Sequence, residues 1–302
     1  MALTYSIILR QLGSGAVLCA VQALQIFIAK HPHTKIYTEY KELLEGYPLM
    51  KGVVRAWAGL TYKEFNNSIK HSNIIIPKPY LVPKYYRGEA HMSEAFNFIL
   101  NNTYKFASRS INTKVPKNIL SRADGWAKFA KIPKDYVVIQ PFGSRLDPST
   151  FEDPTYRSIS VNLLQRIIEP INAQNMGIVY MGTALLPKEW PIIQSPAPAE
   201  LWRGIISNAR YFIGCDSLGQ HIAYQTRTPG TVIFGTSSSS NVGYSEHFNI
   251  VESEKHQSPV PLGILPDIEV QRACMANKYL IDDVDNYAVS SILNHMEEIE
   301  WQ

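Results

Sequence analysis

The feature that most constrains this chain is an alternation that runs through it twice. In the first series TYSIILR (4–10), KIYTEY (35–40), VVRAWAG (53–59) and NIIIP (73–77) read as strands, while Val17 to Ala29 and HMSEAFNFIL (91–100) carry apolar residues at helical spacing. In the second, YVVIQPFG (136–143), MGIVYMGT (176–183), YFIGC (211–215) and TVIFGT (231–236) read as strands. Between them SVNLLQRIIEPI (160–171), AELWRGIISNA (199–209) and SLGQHIAYQ (217–225) read as helices, and a last helix over 283–299 has Asp282 or Asp283 as its cap. Such alternation implies parallel sheets with crossover helices. Two series in 302 residues predict an α/β protein of two Rossmann-like lobes, 1–130 and 131–302, facing across a cleft and linked through the mixed stretch 101–132. Ligands of such sheets sit beyond the carboxyl ends of the strands.

Composition removes several alternatives. The chain is 45% apolar and 18% charged, as globular proteins are, and its net charge of +3 neither requires nor excludes a polyanionic partner. Its three cysteines, Cys19, Cys215 and Cys274, form no CxxC pattern, which argues against zinc or a disulfide framework and fits a reducing cytoplasm. Arg10 and Gln11 break the first apolar run before Gly13-Ser14-Gly15, so it reads as strand, turn and helix rather than a leader. No run approaches the ~18 apolar residues of a membrane span, and a soluble protein without stable membrane insertion is expected. No metal is expected either: His31 and His33 lack a carboxylate or thiol neighbour, and Asp283-Val284-Asp285 reads as helix capping.

The reactive-looking residues collect where second-series strands end. After YFIGC come Asp216, Ser217, Gly219 and His221, at the start of a helix whose first N–H groups have no partner within it. Such an end favours a phosphate, with Ser217 as a hydroxyl donor, Gly219 keeping the approach open and Asp216 bracing the loop; the same residues also suit an ordinary cap. Gly143-Ser144-Arg145 follows YVVIQ, Gly182-Thr183 follows GIVYM, and Gly235-Thr236-Ser237 follows TVIF. With Arg145 and Arg157 as cations, the four strand ends together point to a nucleotide or nucleotide-sugar site.

YFIGCDSLGQHIAYQTRTPGTVIFGTSSSS resembles the ADP-heptose heptosyltransferases of glycosyltransferase family 9. The signature there is Asp-Ser/Thr-Gly-x-x-His-x-Ala and then a Pro-Thr-strand-Phe-Gly-Pro-Thr run; Asp216, Ser217, His221, Ala223, Pro229, Thr231, Phe234, Gly235 and Thr236 match it. Leu218 stands where the family has glycine, and Gly219 comes one place later. RQLGSGAVLCAVQALQIFIAKHPHTKIYTEY is similar to the family's first βαβ unit, and CDSLGQHIAY is closest in spelling to divergent members borne by tailed phages. The resemblance implies a GT-B fold with the C-terminal helix packing back on the first lobe. It also implies a nucleotide-diphosphate sugar as substrate on the C-terminal lobe, no cofactor, and a bacterial or phage-infected cytoplasm.

One position departs from the family. Its catalytic aspartate, directly after the glycine of LGD, corresponds here to Ala16. Transfer to a hydroxyl still needs a base. Glu89 and His91 in RGEAHMSEAF, and Glu39 at the end of KIYTEY, are the candidates, with helix capping the alternative for RGEAHMSEAF. Gly13, Ser14 and Gly15 form the acceptor-side loop. Tyr80, Tyr85 and Tyr86 with Lys78, Lys84 and Arg87 make a basic, aromatic stretch suited to stacking on bases or sugars. The acceptor is then either a 5-hydroxymethylated pyrimidine in phage DNA or a lipopolysaccharide or other glycan sugar. Ala16 also leaves open a sugar-nucleotide-binding protein that has lost catalysis.

Overall fold

Both strand–helix series fold as parallel sheets. The computed structural model describes residues 3–10, 12–106, 115–144, 146–153, 155–194, 197–253, 280–284 and 286–299. The chain separates into two units, Met1–Thr113 and Lys114–Gln302. Arg145, Cys274 and Asp285 lie outside the described residues.

In the first unit β1 (Tyr5–Leu9), β2 (Thr34–Thr38), β3 (Val54–Ala56) and β4 (Asn73–Ile75) pair in parallel in the order β3-β2-β1-β4. Helix α1 (Ser14–Lys30) buries Val17, Ala20, Val21, Leu24 and Phe27. Ala16, Leu18, Cys19, Ala23 and Ile28 are buried as well, so the helix is covered on most of its faces. Short helices α2 (Lys41–Leu44), α3 (Tyr62–Ile69) and α4 (Pro83–Tyr86) follow, and α5 (Met92–Asn101) packs on α1. His31 closes against Tyr5 and Phe27, with ring centroids 4.6 and 4.5 Å away.

The second unit begins with α6 (Lys117–Phe129), within the stretch read as a link, and continues with β5 (Tyr136–Gln140), α7 (Val161–Ala173), β6 (Gly177–Tyr180) and β7 (Ile193–Gln194). Then come α8 (Trp202–Ser207), β8 (Tyr211–Cys215), α9 (Leu218–Thr226), β9 (Gly230–Phe234), α10 (Ser239–Val242) and β10 (Phe248–Glu252). The sheet order is β10-β9-β8-β5-β6-β7, all parallel. Every residue of β5, β8 and β9 is buried, as in a sheet covered on both faces.

The last helix is α11 (Asn286–Glu298). Its Val289, Ile292 and Met296 join the core of the second unit beside Leu163 and Ile167 of α7. Asp282 and Asp283 stand ahead of the helix and accept hydrogen bonds from the hydroxyls of Ser160 and Ser253. They fasten the returning chain rather than cap it.

Candidate functional site

In the second sheet the chain runs from β5 outward to β6 and β7, then crosses back to place β8 on the other side of β5. The carboxyl ends of β5 and β8 therefore flank a topological switch point, where the two following loops diverge and leave a crevice. Most second-series candidates stand around it.

Gln140, the last residue of β5, was absent from the candidate set. Its Oε1 accepts the Gly219 N–H at 2.5 Å, and its Nε2 donates to Ser217 Oγ at 3.2 Å. A Cβ on Gly219 would lie 2.5 Å from Gln140 Oε1 and 2.7 Å from the Phe212 ring. The missing side chain thus makes room for Gln140, not for open approach. Ser217 is the residue before α9 and makes no capping bond with its side chain.

Asp216 is buried, accepts from Gln220 Nε2 at 2.7 Å, and lies 3.9 Å from Arg157 Nη1. The Arg157 guanidinium also reaches the Asp216 carbonyl at 3.5 Å and donates through Nε to Thr155 Oγ1 at 3.2 Å. Arg157 is about one quarter exposed, so its charge faces both the loop and solvent. Gly143 is buried with its N–H on Ser158 Oγ at 2.9 Å, and Ser144 beside it is exposed. Gly182 and Thr183 stand exposed beyond β6.

Asp153 and Ser158 were also missed. Asp153 is fully buried, and its Oδ1 accepts the Thr155 N–H at 2.8 Å, an Asx turn. The Asp-x-Thr spacing in FEDPTYRS was the local signal for it. Thr236, a matched position, donates to the Thr155 carbonyl at 2.6 Å and pins this loop to the end of β9.

His221 lies one turn inside α9, fully buried, with Nδ1 2.9 Å from the Tyr244 hydroxyl. Burial pulls it down to about 4, so it is a neutral imidazole at pH 7. Burial pushes the Cys215 thiol up, which keeps it unreactive.

In the first unit the candidates separate. Gly13 precedes α1 with open space where a Cβ would be, and Ser14 and Gly15 form the first turn, which has no capping side chain and no acid. Ala16 is buried. Glu39 follows Thr38, the last residue of β2, and is exposed. Because Leu9 pairs with Thr38, Glu39 leaves the same sheet edge as the loop that leads to Gly13. Glu89 forks onto Arg87 at 2.5 and 3.1 Å, and this bond holds its carboxyl below the usual range. His91 is buried and caps α5: Nδ1 accepts the Ser93 N–H at 3.2 Å, and Glu94 accepts the His91 N–H at 2.8 Å. The capping alternative therefore describes RGEAHMSEAF.

A pocket of about 380 Å³ is lined by Lys84, Glu89, Glu94, Tyr104 and Lys105. Tyr104 has Phe98 stacked 4.5 Å from it and the Lys84 ammonium 4.8 Å from its ring centre. Tyr85, read as part of the basic aromatic stretch, is buried. No group of three His, Cys, Asp or Glu that would hold a metal occurs among the described residues, and none of their helices is long and apolar enough to cross a membrane.

No family model and no curated protein matches the chain. Solved structures do. The glycosyltransferase TibC of enterotoxigenic E. coli H10407, described as iron-containing and dodecameric, is 13% identical, with 98% of this chain and 80% of that one covered at a TM-score of 0.63. A glycosyltransferase family 9 protein of Veillonella parvula DSM 2008 is 10% identical, with 98% of both chains covered and a TM-score of 0.64. The E. coli ADP-heptose lipopolysaccharide heptosyltransferase II is 11% identical over 97% of this chain and all of that one, at 0.63. TibC has also been solved with ADP-D-β-D-heptose. The chain has the two-lobed α/β fold of these GT-B enzymes.

Proposed function

We propose that this protein is a glycosyltransferase that moves a sugar from a nucleotide-diphosphate donor to an acceptor hydroxyl. The observation that carries the reading is the β5–β8 switch point, where Arg157 stands over Asp216 beside Ser217, Gly143 and Ser144. The diphosphate would meet the Arg157 guanidinium, the Ser217 hydroxyl and the loop at Ser144. As the bond from the anomeric carbon to the diphosphate breaks, negative charge grows on the leaving oxygen. A fixed cation and hydroxyl favour that state over the ground state. Gly182 and Thr183 complete the donor side, while Asp216 and His221 brace it.

In the first unit Glu39 is the base of choice. It is exposed at the sheet edge, whereas Glu89 is occupied by Arg87 and His91 by its cap. Glu39 would take the acceptor's hydroxyl proton as the oxygen forms its bond to the anomeric carbon. Gly13 to Gly15 would flank the acceptor.

The acceptor is a glycan sugar rather than DNA. In the basic, aromatic stretch Glu89 offsets the charge of Arg87, which lowers its pull on a polyanion, while Lys84 keeps its charge over the Tyr104 ring. Ala16 favours a second reading, a nucleotide-sugar-binding protein without transfer. A thermal-shift panel of nucleotide sugars, followed by assay of nucleoside diphosphate release with glycan or hydroxymethylated DNA, decides between them. A donor at about 100 times its Kd adds ~2.7 kcal/mol of stability. Release with a glycan supports the proposal; binding without any release supports the second reading; no stabilisation by any nucleotide sugar overturns both.

A further inference from the structure

We propose that Asp153 is the positioning residue of the anion seat, acting on Arg157 and on the Gly143 loop through the hydroxyls of Thr155 and Ser158. The inference rests on the donor site proposed above and concerns a residue outside the family signature.

The geometry is a fork. Asp153 Oδ1 accepts the Thr155 hydroxyl proton at 2.6 Å, and Oδ2 accepts that of Ser158 at 2.5 Å. A hydroxyl has one proton and two lone pairs. With both protons committed to the carboxylate, each oxygen can only accept. Thr155 Oγ1 then takes the Arg157 Nε–H at 3.2 Å, and Ser158 Oγ takes the Gly143 N–H at 2.9 Å. One carboxylate thus sets the direction of the guanidinium, which ends at Asp216, and of the loop bearing Ser144. The backbone bond from Thr155 N to Oδ1 and the bond from Thr236 Oγ1 to the Thr155 carbonyl hold the fork in place.

A neutral amide cannot do the same. In Asp153→Asn the oxygen retains the two donors from Thr155, so the amino group turns to Ser158. The Ser158 proton then loses its acceptor, and the Gly143 arm loosens while the Arg157 arm persists. Thr155→Val removes the Arg157 arm alone with little change of shape.

The test uses the full-length protein and isothermal titration with ADP, UDP, GDP, CDP and TDP, and with the nucleoside of whichever binds. Charge-assisted hydrogen bonds are about twice as strong as neutral ones. Thr155→Val should therefore weaken the diphosphate about tenfold and leave the nucleoside within about twofold, and Asp153→Asn should weaken the diphosphate about threefold to tenfold. Thr155→Val combined with Arg157→Ala should bind no more weakly than Arg157→Ala alone, because both act on one interaction. Equal losses for nucleoside and diphosphate, additive losses in the double variant, or unchanged affinity in Thr155→Val or in Asp153→Asn would each overturn the assignment. If the unaltered protein binds none of the five diphosphates, the donor site itself is wrong and the inference falls with it.

Discussion

The two sheets make an instructive pair. Each reverses strand order at its first strand, so each has a switch point, at β1–β4 in the first unit and β5–β8 in the second. At the first, Gly13, Ser14 and Gly15 open α1 with neither a capping side chain nor an acid in its first turn. At the second, Gln140 fills the start of α9, and Asp153, Thr155, Ser158, Arg157 and Asp216 form one connected set. Topology supplies a crevice to both, while the chemistry comes from side chains delivered by loops. The first helix at one sheet edge opens without a charged side chain, and the other edge carries a linked set of charged and hydroxyl groups.

The largest effect expected from breaking this contrast is on turnover. Glu39→Gln should lower it by ~10²–10⁴-fold, the usual contribution of a general base, with donor affinity unchanged in titration. Turnover within about threefold of normal would remove Glu39 from the mechanism.

Packing comes next. A Cβ at Gly235 would lie 2.1 Å from the Tyr156 carbonyl oxygen, in the loop that carries Arg157. Gly235→Val should cost about 3 kcal/mol or more in urea unfolding, at or beyond the upper end for overpacked sites. Gly13→Ala, with open space around it, should cost under about 1 kcal/mol. Equal costs would mean that the two edges are filled alike.

The pH dependence follows from His221, lowered by burial from 6.5 to about 4. Between these values the unfolded chain binds a proton that the folded protein refuses, so stability falls as pH falls through the window. At 1.36 kcal/mol per pH unit the loss is about 3 kcal/mol. His247 and His295 are lowered by burial too and act in the same sense. Urea midpoints from pH 7 to 4 should show the loss, and His221→Gln should make the slope shallower; an unchanged slope would place the effect elsewhere.

A smaller contrast separates Arg157 from Ser14. Arg157→Ala should weaken nucleoside diphosphate binding about 10- to 100-fold, and Ser14→Ala less than about twofold. The smallest effect belongs to Glu89→Gln, which breaks an exposed ion pair with Arg87 and should leave the urea-unfolding midpoint nearly unchanged.

The sequence by itself determined the main strands and helices and their order along the chain. Short apolar runs and the 3.6-residue period are set within a few residues of chain, which is why β1, α1, β5, β8, α9 and β9 were legible from TYSIILR to TVIFGT. It also marked Ser217 and Gly143, because strand ends followed by small residues are local facts. Elements whose support is not local were not legible. Strand β10 reads as FNIVE with only Phe248 buried, and it exists because β9 offers its edge. The tertiary structure alone decided that Gln140 would occupy the start of α9, 79 residues along the chain from Gly219, and that Thr236 would bind Thr155 across 81. It also decided that α11 would bury Ile292 and Met296 in its own unit's core. Each is a contact between segments distant in sequence, set by how the sheet orders its strands, and no local pattern of residues encodes that order.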